Sequence, residues 1–274
     1  MEILVVGGSG FLGRELVRLA LTAGHRVVAT YFDHPVPLDV AQQRVDVRRR
    51  DDVLTLARAV RPDLVVNAAY RQADWATTAN GGAHVGVAAA AAGARLVHVS
   101  SDVVFSGAAS SYDETAMPDP ITPYGAAKAA AETAIAAVAP SAVIARTSLI
   151  VGHGASQHER FLHRLAADPA GGVLFTDDVR CPVHVTDLAS ALLELGRSSH
   201  AGVHHVAGAD AVSRHELGTL IGRRDGLHTG HLRTARRADV GPPAPLDVRL
   251  DGTSTQAKLT TRLRGAREFL ARRP

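Results

Sequence analysis

The sequence predicts an α/β protein built on a doubly wound parallel sheet, followed by a smaller C-terminal lobe. Three observations predict it. First, a short apolar run, Ile3-Leu4-Val5-Val6, ends in a turn with glycines at Gly7, Gly10 and Gly13 and passes at once into an amphipathic stretch over 14–20. Second, short apolar runs alternate with helix-like stretches as far as about residue 150, the pattern of strand–helix–strand units. Third, three of the predicted strands run into small or polar residues, namely Gly7–Gly13, Asn67–Ala69 and Ser100–Ser101. Open parallel sheets bind their ligands at the carboxyl ends of the strands.

The opening stretch is the most informative. Strand, glycine turn and helix in that order form the context of a dinucleotide-binding glycine motif. Gly7 lets the chain turn sharply off the strand, Gly10 lets backbone N–H groups approach a pyrophosphate, and Gly13 lets helix and strand pack closely. Phe11 and Leu12 sit inside the motif. The anion would rest on the positive end of the first helix, where unpaired N–H groups face it.

Gly24 stops that helix, and 25–30 read as a second strand. An acid at the end of this strand would bind the adenosine ribose hydroxyls and disfavour a 2′-phosphate. Thr30 or Tyr31 holds that place, with Asp33 a little beyond. The missing acid favours NADP(H) over NAD(H), although no arginine stands there in sequence to hold the phosphate. Residues 43–47 read as a short third strand, and Asp51 begins a helix to about residue 60, its carboxylate suited to the positive end. The run 63–69 is a fourth strand, continuously apolar as a strand covered on both faces should be. A polar loop over 70–78 holds the only tryptophan, Trp75, and Asn80 opens an alanine-rich helix to about residue 92.

The fifth strand, 95–100, runs into Ser101-Asp102-Val103-Val104-Phe105. A proline-rich loop then leads to Pro123-Tyr124-Gly125-Ala126-Ala127-Lys128 and a helix to about residue 138, and 141–148 form a sixth strand. Residues 1–150 are thus expected to be a Rossmann-type dinucleotide-binding domain. Residues 151–274 are expected to be a smaller substrate-binding lobe that partly returns to the sheet. In it, helices are expected over 158–167, 186–196 and 214–222, a strand over 203–206, an irregular stretch over 225–245 and a basic helix over 263–273.

Composition narrows the class. The chain has 274 residues, 46% apolar and 21% charged, with a net charge of +3 and 4% aromatic residues. That is ordinary for a soluble globular protein and supplies neither the basic excess nor the stacking aromatics of a nucleic-acid binder. The single cysteine, Cys181, excludes an internal disulfide framework and fits a reducing compartment. The chain starts directly with a motif-bearing strand, which leaves no room for a signal peptide, and no apolar run reaches membrane-spanning length. A cytoplasmic protein with a small-molecule substrate and no membrane partner is expected, with a homodimer as a possible assembly.

Three side chains can make a reductase site. Tyr124 and Lys128 are four apart near the start of a helix, so they share one face. A phenol with a pKa near 10 is a poor acid–base catalyst at neutral pH, and a nearby ammonium is expected to lower that value. Lys128 is one of only two lysines among 30 basic residues, so arginine has not replaced it. Ser101 would polarise a substrate carbonyl while Tyr124 gives its proton to the developing alkoxide. Hydride would come from a nicotinamide, which Lys128 would also hold through its ribose.

The glycine motif, Asn67-Ala68-Ala69, Ser100–Phe105, Pro123–Lys128 and Arg146-Thr147-Ser148 together resemble the extended short-chain dehydrogenases/reductases, and within them the dTDP-4-dehydrorhamnose reductases and their sugar-nucleotide-binding relatives. The resemblance covers about residues 1–150. It implies Ser101, Tyr124 and Lys128 as the catalytic set, with Asn80 as a fourth member supporting the lysine. It also implies Asp46 and Val47 near the adenine, and Ala68 and Ala69 along the cofactor's ribose and phosphate. Asn67 and Ser100 belong to the cofactor-binding strand ends, and Ser101, Asp102 and Arg180 to the substrate side. The chain departs from the family after the Asn-Ala-Ala strand. Asp74-Trp75-Ala76-Thr77-Thr78 keeps an Asp but lacks the following Lys and Glu, and the loop is shortened.

Other chemistries lack a motif. The histidines at 153, 158 and 163 are spaced by five, which does not stack them on one helix face, and no HExxH or Cys–His pattern occurs, so no metal is expected. No Gly-x-Ser-x-Gly elbow is present. Arg180, Arg233, Arg236 and Arg237 could clamp a diphosphate. The expected reaction is reduction of a 4-keto sugar nucleotide or a related small ketone or imine. The alternatives are a nicotinamide-dependent epimerase or dehydratase, and a cofactor-binding regulatory subunit without turnover.

Overall fold

The first strand, β1 (Glu2–Val6), sends Ile3 and Val5 to one face and Leu4 and Val6 to the other, each at most 2% exposed. A strand alternates its side chains, so only a strand covered on both faces can be apolar throughout. The covering helices are α1 (Phe11–Thr22) on one face and α2 (Arg50–Val60) with α3 (Gly81–Ala91) on the other. This computed structural model describes residues 1–271.

Strands β2 (Arg26–Tyr31), β3 (Ala41–Arg44), β4 (Leu64–Asn67), β5 (Arg95–Ser101) and β6 (Val143–Thr147) follow. Helix α4 (Pro123–Val138) lies between the last two. The later chain supplies α5 (Gln157–Ala167), α6 (Val185–Arg197), β7 (Gly202–His205) and α7 (Arg214–Asp225). The sheet order is β7-β6-β5-β4-β1-β2-β3, with every pair parallel. This is the doubly wound sheet the sequence predicts. Its order reverses between β1 and β4, the switch point at which such sheets hold ligands.

Residues 185–205 return to this sheet. Helix α6 packs its leucines into the same core as α1, and β7 pairs with β6 at the outer edge. The remaining C-terminal segments build a separate small core around Leu162, Leu165, Leu174, Leu217 and Ile221.

Four boundaries differ from expectation. The third strand lies at Ala41–Arg44, not 43–47, and all four of its residues are exposed. An edge strand held by backbone pairing alone carries no hydrophobic signature, whereas the apolar Val45 and Val47 beyond it are buried against α2 and α3. The segment leading into α3 is already helical at Ala76–Asn80, where the backbone makes a π turn. Asp74 starts it, accepting from the Thr77 backbone N–H and from Thr77 Oγ1 at 2.6 Å. Asn80 therefore lies inside a helical run. Near the C-terminus the helix spans only Ala266–Phe269; residues 272–273 of the expected helix lie outside the described residues. Within the irregular stretch, Thr234–Ala235 pairs with Leu174–Phe175 and Arg237–Val240 forms one helical turn. Among the described residues no helix is long and apolar enough to cross a membrane.

Candidate active site

A cleft runs along the carboxyl ends of β1, β4 and β5. It consists of two adjoining hollows of about 280 and 350 Å³ that share Gly10, Ala68 and Tyr70. The first is lined by Thr30 and Tyr31 from the end of β2, and by Asp46, Val47 and Ala69. The second is lined by Phe11, Leu12 and Gly13, and by Ser100, Ser101, Asp102, Tyr124 and Lys128.

The glycine turn has the shape that a dinucleotide requires. Gly7 adopts φ 84°, a backbone conformation that L side chains rarely take. A Cβ on Gly13 would run into the Gly7 carbonyl oxygen and stand 2.8 Å from the Gly8 Cα, so only glycine lets α1 come this close to β1. The Gly7 N–H donates to Thr30 Oγ1 at 3.0 Å, tying the turn to β2. Helix α1 starts at Gly10 with no side-chain cap and no acid in its first turn, whereas α2 has Asp51 and Asp52 there and α5 has a capping box. Gly10, Phe11, Leu12 and Gly13 line the second hollow, which puts this uncapped helix start beside the cleft, as a pyrophosphate would need.

Asn67 supports this floor without touching the cleft. Its Oδ1 accepts from the Ala69 N–H at 3.1 Å and its amide meets buried His98 Nδ1 at 3.1 Å, fixing the chain as it leaves β4. Ala68 and Ala69 then line the wall.

Thr122 caps α4 by accepting from the Gly125 N–H at 3.1 Å, with Pro123 at the first helical position. The helix therefore begins just before Tyr124, which puts Tyr124 and Lys128 on the face turned to β5. A Cβ on Gly125 would strike the Val103 carbonyl oxygen, so that glycine sets how near the tyrosine comes to the serine loop. Ser101 Oγ donates to Asp102 Oδ1 at 3.2 Å and accepts from the Val103 N–H at 3.4 Å. Asp102 Oδ2 accepts from Ser148 Oγ at 2.6 Å.

Lys128 is 3% exposed, and its Nζ donates to the Val99 carbonyl at 2.8 Å. Burial pushes its pKa down to about 8, with Glu132 pulling the other way. Burial also pushes the Tyr124 phenol up, helped by Tyr70 and Asp102 and opposed by its hydrogen bond with Ser101. That is the reverse of the lowering expected from the lysine. Desolvation is the largest cause here, and the phenol stays neutral and proton-bearing at neutral pH.

Two further expected site residues do not line the cleft. Asn80 is exposed and does not line the cleft, and the Val99 carbonyl holds Lys128 in its place. Arg180 is 3% exposed; its guanidinium donates to the carbonyls of Val179, Pro245 and Leu246 and pairs with Asp178 at 3.0 Å. Its Nε also faces Asp102 Oδ2 at 3.6 Å, so it braces that cleft carboxylate from behind and has no donor left to clamp a substrate. Besides Lys128, the cations that line the second hollow are Arg160 and Arg214, beside Gln157 and His158. Burial, reinforced by Arg214, holds His158 down at about 3, so it meets a ligand as a neutral imidazole. His158 and Arg214 also border a third, largely apolar hollow of about 180 Å³, where the Arg237 guanidinium lies 4.9 Å over the Phe175 ring.

Sequence reasoning missed Tyr70 and Glu132. Tyr70 stands between the two main hollows, its ring 5.8 Å from that of Tyr124 and 5.2 Å from Lys128 Nζ. Glu132 is one further turn along α4 and extends the spacing of Tyr124 and Lys128, which was the signal available. It is 5% exposed, accepts from Ser100 Oγ and pairs with buried Arg146 through Nε and Nη2.

The profile of the RmlD substrate binding domain family matches residues 1–273. The probable low-salt glycan biosynthesis reductase of Haloferax volcanii is 31% identical, over 94% of this chain and 92% of that protein. The dTDP-4-dehydrorhamnose reductase of Mycobacterium tuberculosis is 30% identical, over 89% and 82%. The crystal structure of dTDP-4-dehydrorhamnose reductase from Bacillus anthracis in complex with NADP superimposes with a TM-score of 0.83 at 22% identity, covering 98% of this chain and 96% of that one. With the fold, the glycine turn and the match along the chain in agreement, this protein belongs to the RmlD substrate binding domain family of nicotinamide-dependent sugar-nucleotide reductases.

Proposed function

We propose that the chain reduces the 4-keto group of a deoxysugar nucleotide of the dTDP-4-dehydrorhamnose kind, with NADP(H) favoured over NAD(H). The observation that carries this reading is that Ser101, Tyr124 and Lys128 line the same hollow as the glycine turn of α1. Gly10 and the α1 N–H groups would hold the pyrophosphate, Ala68 and Ala69 the ribose and phosphate edge, and Lys128 the nicotinamide ribose. When bound, the reduced nicotinamide supplies hydride to the carbonyl carbon.

The residues of the chain do the rest. Ser101 Oγ hydrogen-bonds the carbonyl oxygen and stabilises the charge that develops there. Tyr124 gives up its phenolic proton to that oxygen, a task suited to a phenol kept protonated by burial. The Lys128 ammonium, one helical turn away, then faces the phenolate until solvent returns the proton. Arg160 and Arg214 offer cationic partners for a diphosphate, and the apolar hollow beside Phe175 offers room for a base. A cytoplasmic setting belongs to the same reading, since the one cysteine is buried and unpaired.

Cofactor oxidation measured across dTDP- and UDP-linked 4-keto sugars and simple ketones tests the reading. Turnover is expected with a dTDP-linked 4-keto sugar. A flat response to every ketone, with dinucleotide bound, would overturn it. The pH profile tests the lysine separately. Lys128 carries its charge below about pH 8 and loses it above, so kcat/KM is expected to fall on the alkaline side with an apparent pKa near 8. A profile flat to pH 10, where an ordinary lysine starts to titrate, would remove Lys128 from the mechanism.

A further inference from the structure

The adenosine end of the cleft holds an arrangement that no single stretch of sequence contains. Three arginines from two stretches of chain, 44–48 and the loop at 71, surround one ring. The guanidinium carbons of Arg44, Arg48 and Arg71 lie 5.4, 5.3 and 5.2 Å from the centroid of Phe32. Phe32, Arg48 and Arg71 line the hollow itself, together with Asp33. Arg44 is fixed by its Nε, which donates to the Phe32 carbonyl at 3.0 Å. Arg48 is held by both oxygens of Asp46. Arg71 pairs with Asp33.

The last pair has a consequence for ligand choice. Asp33 is the first carboxylate after β2, the region from which an acid takes the ribose hydroxyls and repels a 2′-phosphate. Here Arg71 neutralises it. Both side chains are half exposed, at 50% and 54%, so the pair is weakly held and can rearrange around a ligand. A guanidinium fork suits phosphate oxygens, and the cation-rich ring of Phe32 adds further positive potential.

We propose that Arg71 is the residue that admits a 2′-phosphorylated adenosine to this hollow, by masking Asp33 and offering its own fork to the phosphate. The inference rests on the dinucleotide reading above and adds to it which side chains decide between the two forms. Asp33 becomes the opposing element, kept from discriminating against phosphate only while Arg71 is present.

Calorimetric binding of ADP-ribose and of its 2′-phosphorylated form to the whole protein tests this without turnover. The wild type is expected to bind the phosphorylated ligand more tightly. Arg71→Ala should weaken that ligand by about tenfold or more, the loss of one charge-assisted contact. ADP-ribose should be unchanged or bind more tightly, because Asp33 is released. Asp33→Asn should leave the phosphorylated ligand at least as tightly bound and weaken ADP-ribose. Equal weakening of both ligands by Arg71→Ala, or no change in either, would overturn the assignment while the dinucleotide reading stands. A wild type that binds neither ligand would overturn both.

Discussion

Replacing Tyr124 by phenylalanine is expected to lower kcat by about 10²–10⁴-fold, the usual contribution of a positioned proton donor, with dinucleotide affinity nearly unchanged. The substitution removes one oxygen and keeps the ring, so its packing against Tyr70 survives. The Lys128 contact to the Val99 carbonyl is also untouched. What disappears is the proton that must reach the alkoxide oxygen while Ser101 holds it. Single-turnover reduction together with dinucleotide titration checks this. Activity within threefold of wild type would show that another group delivers the proton.

Glu132→Gln is expected to cost about 3–5 kcal/mol of stability, the penalty for leaving one charge of a buried pair uncompensated. For a chain of this size that lowers the melting temperature by on the order of 10 °C. Arg146 is as buried as its partner, and its remaining contacts are the Ala116 carbonyl and the face of Phe105, neither of which carries a negative charge. The amide would also lose the symmetric acceptor that serves both Ser100 and the guanidinium. The doubly substituted Glu132→Gln/Arg146→Met protein should recover most of the loss, since removing both charges removes the uncompensated one. Thermal unfolding of the three proteins decides the matter; a single variant melting within 2 °C of wild type would refute the claim. Because Glu132 draws the Lys128 pKa upward, the same substitution should also move the alkaline limb of activity to lower pH.

Much of this site was legible before any coordinates. The glycine turn reads directly because its requirements are local: a positive φ at Gly7 and contact between neighbouring turns at Gly13. Tyr124 and Lys128 read because helix periodicity alone puts them on one face. The third strand did not, since Ala41–Arg44 buries no side chain and pairing of backbone groups leaves no mark on residue type. Arg180 misled for a related reason. An arginine in sequence is a free cation, and only the folded chain reveals three carbonyls, Asp178 and Asp102 already occupying it. The direction of the Tyr124 shift was also misjudged, because the effect of desolvation depends on how many neighbours close around a group, and spacing does not report that.

The sequence by itself determined the doubly wound sheet, the strand ends that meet at the cleft and the placing of Tyr124 and Lys128 on one helix face. These follow from period, turn chemistry and the chain order of elements. Only the tertiary structure decided which charges are free. The pairing of Asp33 with Arg71 and the burial of Glu132 with Arg146 join residues 38 and 14 positions apart. The grouping of Arg44, Arg48 and Arg71 around Phe32 likewise draws on separate segments. Electrostatic partnership falls off with distance in space and not along the chain, so it emerges only once the sheet has brought those segments together.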